Sequence, residues 1–465
     1  MSTKIDRRKF VKSTAAIGAG LFLGPTAGNL TAAPGKKDDI HIALIGCGDQ
    51  GKALFDAIMD LPLNSGVKFK AVCDIWPLKR NRFSKTLGYY KRRGHAGTPY
   101  EDYREMLDKE KDNLDAVIIA TPDFWHARHT IDCLKAGLHV YCEKEMSNKI
   151  EDAQKMVETA EETGKLLQIG HQRRSNPKYL YCLENIINKT FPVTKNGKTE
   201  ESTLLGQITT VSGQWNRSIA GCQPRGFPAG NAIPQATLQK YGFKNMQQFR
   251  DWRLYKGLGG GPIVDLGSHQ IDIFSWFLGE AKPKAVMAAG GIDYWKKQQW
   301  FDNVVAVYDF ETEHGTVRAT YQTQTTTSCG GYHEKFMGTK GTLEISEQNG
   351  FLNAGREYYH IHDQDWDPWI KAGIITPVPK PKEKKNSLVD SRSSPPLAPH
   401  KIHVKMEDKF HKPHLVNFFD AVREKSVKLN CPAEVGYNTA AMVLKVNEAV
   451  EAEKKLYFKP EDFKV

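Results

Sequence analysis

Three glycines, spaced as Gly46-Cys47-Gly48-Asp49-Gln50-Gly51, fall between a short apolar run, Ile40 to Ile45, and an amphipathic stretch, Gln50 to Met59. The order strand, tight turn, helix leaves few alternative folds. The first glycine permits the turn, the second lets the backbone approach a pyrophosphate, and the third lets helix and strand pack closely. Free N–H groups at the helix opening would then face the anion. A second apolar run, Val67 to Val72, leads to Asp74, 23 residues beyond Gly51, where a carboxylate can accept hydrogen bonds from ribose hydroxyls. Asp74 could equally cap the helix that follows it.

The alternation continues. Ala116 to Ala120 is apolar without interruption, as a parallel strand buried on both faces must be. His139 to Cys142 and Leu166 to Ile169 read as further strands, with helical patterns at Phe124 to Lys135 and Ile150 to Thr163 between them. Residues 38–170 therefore predict an α/β domain, a doubly wound parallel sheet of the Rossmann type. From Gly206 the pattern changes. Ile208–Trp215, Ala285–Gly290, Asn303–Phe310, Thr316–Thr325 and Gly341–Ile345 alternate like strands, with one strong helix at Ile263–Leu278. Residues 171–465 thus predict an α+β domain with a large, mainly antiparallel open sheet, whose free face would allow a homo-oligomer. Within it, 214–258 is a long loop of the kind that tends to be functional, 377–399 a Pro/Lys/Ser-rich surface loop, and 415–453 a pair of closing helices. A hydrophobic content of 40% over 465 residues supplies cores for two such domains.

The N-terminus has the three-part layout of an export signal: Arg7-Arg8-Lys9-Phe10-Val11-Lys12, a weakly apolar run from Ala15 to Leu23, and small residues through Ala33. The twin arginine resembles a Tat signal, which carries folded proteins to the periplasm, so residues 1–33 are expected to be removed. The apolar run is too short and too glycine-rich to span a membrane. Five Lys/Arg and one Asp in that segment lower the +11 of the full chain to +7, a modest excess without a nucleic-acid motif beside it. The eight cysteines show no C-x-x-C spacing, and no metal site is expected.

Ligands bind at the carboxyl ends of parallel strands, which brings forward Thr121-Pro122-Asp123-Phe124-Trp125-His126 and Glu143-Lys144. With the glycine loop, Asp74, Arg174-x-x-Pro177 and Gly259-Gly260-Gly261-x-x-x-Asp265-x-Gly267-x-His269-x-x-Asp272, these segments resemble the Gfo/Idh/MocA family of glucose-fructose oxidoreductases and inositol dehydrogenases. One departure is Glu143-Lys144-Glu145, where relatives carry Glu-Lys-Pro with a proline that is often cis. The resemblance implies that Lys144 contacts the reacting hydroxyl and that Asp265 and His269 form an acid/base pair. On a helix, Asp265, His269, Asp272 and Trp276 make one stripe, and a carboxylate one turn from an imidazole can fix its tautomer and raise its basicity. The cofactor set is Gly46, Cys47, Gly48, Asp49, Gln50, Gly51, Asp74, Thr121, Pro122, His126, Glu143, Lys144 and Gln172. Asp74 favours NAD, while Lys79 and Arg80 leave NADP open. The substrate set is Lys144, Arg174, Trp215, Trp252, Arg253, Tyr255, Asp265 and His269, because aromatic faces stack on sugars and arginines bond hydroxyls or carboxylates.

Three readings follow. In the first, hydride passes between a sugar or glycoside hydroxyl and a tightly held nicotinamide. In the second, an oxidation, elimination and hydration sequence cleaves a glycosidic bond, as in NAD-dependent N-acetylgalactosaminidases, although the Tyr-Pro-Thr-His-Gly type of stretch associated with those is absent here. In the third, the chain is a nucleotide-loaded binding protein without turnover. Retention of Lys144, Asp265 and His269 favours an enzyme.

Overall fold

The structure is a computed structural model, and it describes residues 39–195, 197–347, 359–361, 366–378 and 400–465. The export segment, residues 1–33, and all but the first two residues of the loop at 377–399 lie outside the described residues.

Strands β1 (Ile40–Ile45), β2 (Val67–Cys73), β3 (Thr98–Tyr100), β4 (Ala116–Ile119), β5 (His139–Cys142) and β6 (Leu167–Ile169) form one parallel sheet in the order 3-2-1-4-5-6. This is the doubly wound order, with its switch point between β1 and β4. Helices α1 (Asp49–Met59), α2 (Pro77–Tyr89), α3 (Tyr103–Glu110), α4 (Asp123–Lys135) and α5 (Ile150–Thr163) connect the strands. Strand β3 has no counterpart in the sequence reading. It is three residues long, contains Pro99 and lies at the sheet edge, the place where a proline is tolerated.

After the helical segment that carries Tyr179, Cys182 and Ile186 into its core, the second domain continues with a hairpin, β7 (Thr190–Lys195) and β8 (Lys198–Thr203), which polar Thr and Lys residues concealed. Its main sheet contains β9 (Ile208–Asn216), β10 (Pro283–Gly291), β11 (Asn303–Thr312), β12 (Gly315–Gln324), β13 (Tyr332–Gly338), β14 (Gly341–Ile345), β15 (Tyr359–Ile361) and β16 (Leu456–Tyr457), in the order 15-14-13-9-12-11-10-16. Every pairing is antiparallel except β9 with β12. Strand β13 escaped notice because Glu334 points inward where an apolar residue would complete the alternation. One face of the sheet is covered by α6 (Gly261–Phe277), with Ile263, Val264, Ile271, Phe274 and Phe277 in the shared core.

The closing helices do not stay with this sheet. Helix α7 (Lys412–Arg423) packs Leu415, Phe418 and Phe419 against Ile42, Leu44 and Leu54 of the first domain. Helix α8 (Ala433–Ala452) is a shared spine. Its Tyr437 and Ala440 join the first core, its Met442, Val446 and Ala449 the second. All eight cysteines are free thiols. Among the described residues no helix is long and apolar enough to cross a membrane, and no cluster of potential ligands could hold a metal ion.

Candidate active site

The glycine loop is a backbone device. Gly46 adopts φ +97°, and a Cβ there would sit 2.5 Å from the Ala120 carbonyl oxygen, so the ends of β1 and β4 abut. A Cβ on Gly51 would fall 1.9 Å from the Gly46 carbonyl oxygen, which is why α1 can lie so close to β1. Around Gly48, by contrast, a Cβ would meet nothing within 4 Å. No side chain caps the N-terminus of α1. An open cradle beside uncapped N–H groups fits a dinucleotide pyrophosphate. Asp74 both shapes and furnishes the site: its carboxylate accepts from Cys47 N at 2.6 Å and Trp76 N at 2.7 Å.

A cavity of about 510 Å³ runs from this loop to the second domain, within the range of cofactor and ligand sites. Of the cofactor residues read from sequence, Gly46, Gly48, Asp49, Gln50, Asp74, Thr121, Pro122, Glu143, Lys144 and Gln172 line it. Cys47 is buried behind the loop and Gly51 packs on β1, so both act through the backbone and not as walls. His126 is also not a wall. Its ring lies between the Thr121 and Glu145 carbonyls, 2.7 Å from each, and thereby ties the end of β4 to the turn that carries Lys144. The Lys144–Glu145 peptide is cis without a proline. The Glu145 carboxyl is pushed up to about 8 by burial, so this acid is held in its neutral form.

From the second domain, Trp215, Trp252, Arg253, Asp265 and His269 face the same cavity as Lys144. Gly261, at φ +77°, starts α6 against Trp300, and one and two turns later Asp265 and His269 line the cavity. Lys144 Nζ donates to the Asp265 carbonyl and to its Oδ1 at 3.2 Å, while Arg253 Nε donates to Oδ1 at 3.0 Å. Burial alone would raise the Asp265 carboxyl, but Lys144, Arg253 and Arg217 outweigh it and hold the group well below the usual range. This corrects the expected acid/base pair: the carboxylate is bonded to Lys144 and Arg253 and ion-paired with Arg217, and no hydrogen bond joins it to the His269 ring. The His269 Nδ1 has no hydrogen-bond partner. Burial first, then the charge on Lys144, pushes His269 well below its usual value, so the imidazole is neutral, the protonation state from which a general base starts.

Two proposed substrate residues are elsewhere. Arg174 is 3% exposed and donates to both Asp272 oxygens, at 2.8 and 3.0 Å, and to both Glu280 oxygens, at 2.7 and 3.1 Å. Its guanidinium also lies over Trp276, so the stripe Asp265, His269, Asp272, Trp276 splits into a cleft half and a structural half. Tyr255 closes the turn that leads into Gly259 and does not line the cavity. Sequence reasoning placed Asp123 in a segment bordering the ligand but gave it no role, although it is a cavity residue whose carboxyl burial lifts to about 7, and it passed over Tyr332 and Glu347, from β13 and just beyond β14. Tyr332 stacks on Trp215 with centroids 4.4 Å apart.

Comparison with known proteins agrees with this geometry. Residues 40–171 match the sequence model described as "Oxidoreductase family, NAD-binding Rossmann fold", and residues 235–344 match the GFO/IDH/MocA C-terminal domain. An alpha-N-acetylgalactosaminidase of Shewanella oneidensis is 31% identical over 180 residues, 35% of this chain and 38% of that protein. A 4-carboxy-2-hydroxymuconate-6-semialdehyde dehydrogenase of a Sphingobium species is 32% identical over 148 residues, 32% of this chain and 43% of that protein. The matched stretches thus span less than half of those curated relatives. Among solved structures, the aldose-aldose oxidoreductase of Caulobacter crescentus superposes with a TM-score of 0.62 at 18% identity, over 90% of this chain and 100% of that one. The WlbA dehydrogenase of Bordetella pertussis gives a TM-score of 0.60 at 19% identity, over 90% and 99% respectively, and shows the same fold. With both of its domains matched, and with residues of each matched segment lining the cavity, this chain belongs to the GFO/IDH/MocA oxidoreductase family.

Proposed function

We propose that this protein is an exported, NAD-dependent oxidoreductase that moves hydride between a hydroxyl-bearing carbon of a sugar or glycoside and a tightly held nicotinamide. The observation that carries the reading is that Lys144, anchored by Asp265, and a neutral His269 face one cavity with the glycine loop. Gly46 to Gly51, Asp74 and Gln172 would hold the nucleotide, which supplies the hydride acceptor. His269 takes the hydroxyl proton, Lys144 stabilises the alkoxide charge that develops as hydride leaves, and Asp265 keeps the ammonium in position. Trp215 offers a flat face for a sugar ring and Arg253 a donor to its hydroxyls. Residues 1–33 would direct the folded, loaded protein to the periplasm by the Tat route. Free NAD is not expected there, so each turnover must restore the cofactor by reducing a second carbonyl.

A second reading is favoured by the likeness to the Shewanella N-acetylgalactosaminidase. Transient oxidation at one ring carbon would acidify its neighbour, and elimination, water addition and reduction would cleave the glycoside with no net redox change. Mass spectrometry of the nucleotide released from the purified protein, with reduced-nicotinamide absorbance over a panel of sugars and synthetic glycosides, tests both. Sugar-dependent reduction supports the first reading, whereas aglycone release without net reduction selects the second. His269→Ala is expected to abolish turnover while NAD stays bound, and normal rates in that variant would refute the base assignment.

A further inference from the structure

We infer that residues 217–258 of the second domain form a strap that locks the dinucleotide in place, with Arg225 and Arg250 neutralising its pyrophosphate. This rests on the NAD-dependent reading above and names the residues that make the cofactor a resident group.

The strap is covalently part of the second domain, running from β9 towards α6, yet it packs on the first. Leu238, Phe243, Met246 and Trp252 close around Trp76 in a small core of their own. Three pins hold it there. Trp76 Nε1 donates to the Asn231 carbonyl at 2.7 Å, Trp125 Nε1 donates to the Tyr241 carbonyl at 3.2 Å, and the Tyr241 hydroxyl donates to Asp102 Oδ2 at 3.2 Å. Trp76, Asp102 and Trp125 follow β2, β3 and β4, so the pins stand at the carboxyl ends of the strands that border the nucleotide groove. A segment attached only to support its own domain has no need of these points.

Charge distribution gives the strap a ligand. Arg225 Nη1 lies 3.4 Å from Asp49 Oδ2 at the opening of α1, and Lys79 Nζ reaches the other oxygen of Asp49 at 3.4 Å. Arg250 lies over the Trp76 ring at 5.3 Å and lines the same cavity as Gly48 and Asp49. Asp49 pairs with both Lys79 and Arg225, Asp251 is occupied by the Arg225 backbone N–H and by Gln247, and among the described residues Arg250 has no carboxylate within ion-pair distance. The positive excess lies beside the glycine whose Cβ position is open. A pyrophosphate would complete it, and the strap would have to detach from Trp76 before the nucleotide could leave.

The test is the dissociation rate of bound NAD, followed by the loss of protein-bound nucleotide on dilution, in the full-length wild-type chain and in Arg225→Gln/Arg250→Gln. Release is expected to be about 30-fold faster or more in the double variant, from the loss of two charge-assisted contacts. Arg225→Lys/Arg250→Lys should recover most of the retention, and added salt should speed release from the wild type more than from the glutamine variant. Trp76→Phe, which keeps the ring and removes the pin to Asn231, should speed release several-fold. Melting of the nucleotide-free proteins controls for folding, since both arginines are partly exposed. Release from the glutamine variant within twofold of the wild type, with NAD still binding to both, would overturn the strap and leave the oxidoreductase reading standing. A wild-type chain that binds no added NAD would overturn both.

Discussion

On the first-domain wall of the cleft, six consecutive residues, Gly46 to Gly51, supply the turn and the opening of a helix; on the facing wall, Trp215, Arg253, Asp265, His269, Tyr332 and Glu347 arrive from separate strands, turns and a helix. The glycine stretch of the first wall acts through its backbone and needs only the absence of side chains. The second acts through side chains whose positions depend on neighbours distant in sequence. The two should therefore fail differently, one abruptly and the other by degrees.

The largest effect is expected at Gly51. Its Cβ would fall 1.9 Å from the Gly46 carbonyl oxygen, and what it meets is backbone and not the end of a flexible side chain. Gly51→Ala should cost at least about 100-fold in NAD affinity, roughly 2.7 kcal/mol, together with a lower melting temperature. Gly48→Ala sharpens the contrast. With nothing within 4 Å, it should melt like the wild type and still bind NAD poorly in calorimetric titration. If both variants lose stability equally, the distinction between packing glycine and ligand glycine fails.

The arginines come next. Arg174 and Arg253 both entered as substrate residues, yet Arg174 is sealed against Asp272 and Glu280 while Arg253 reaches the cavity. Removing one partner of a buried pair strands a charge, so Arg174→Ala should destabilise by about 3–5 kcal/mol in denaturant unfolding with KM unchanged in the folded fraction. Arg253→Ala should invert that pattern, with kcat/KM falling at least about 10-fold, the loss of one charged hydrogen bond, and stability little affected.

These two walls also explain what was legible in the sequence. Strands β1, β2, β4, β5 and β6 were readable because burial on both faces enforces apolar runs, and the glycine loop because its spacing is local. Lys144, Asp265 and His269 were identified by resemblance, and all three face the cavity. What they do to one another was not legible. A spacing of four residues along a helix could not reveal that Asp265 is claimed by Lys144 from the other domain, 121 residues away. The same blindness hid β13, where the inward carboxylate of Glu334 is paired with Arg173, and it placed Arg174 in a cleft that its partners Asp272 and Glu280 keep it out of. In each case the missing information was a long-range charge partner.

The smallest effects concern pH, where two buried groups on the first-domain side pull in opposite directions. His414 Nε2 donates to the Ile169 carbonyl at 2.9 Å, its Nδ1 meets the Ser175 hydroxyl at 2.6 Å, and burial pushes it down to about 3. A histidine held neutral in the folded state binds fewer protons than its unfolded counterpart below the ordinary value of about 6.5, so its contribution is complete above that pH and lost as pH falls towards 3. Glu145 does the reverse. With a folded value of about 8, set by burial, it binds more protons than the unfolded carboxyl above about 4.5, so its contribution is complete below that pH and lost as pH rises towards 8. Each group has a limiting slope of about 1.4 kcal/mol per pH unit within its window. Denaturant unfolding across pH 4 to 8 should then show that His414→Gln flattens the acid limb alone, and that Glu145→Gln flattens the decline above it. Parallel pH profiles for Glu145→Gln and the wild type would mean that Glu145 is ionised in the folded protein, leaving an uncompensated carboxylate next to the lysine assigned to the reacting hydroxyl.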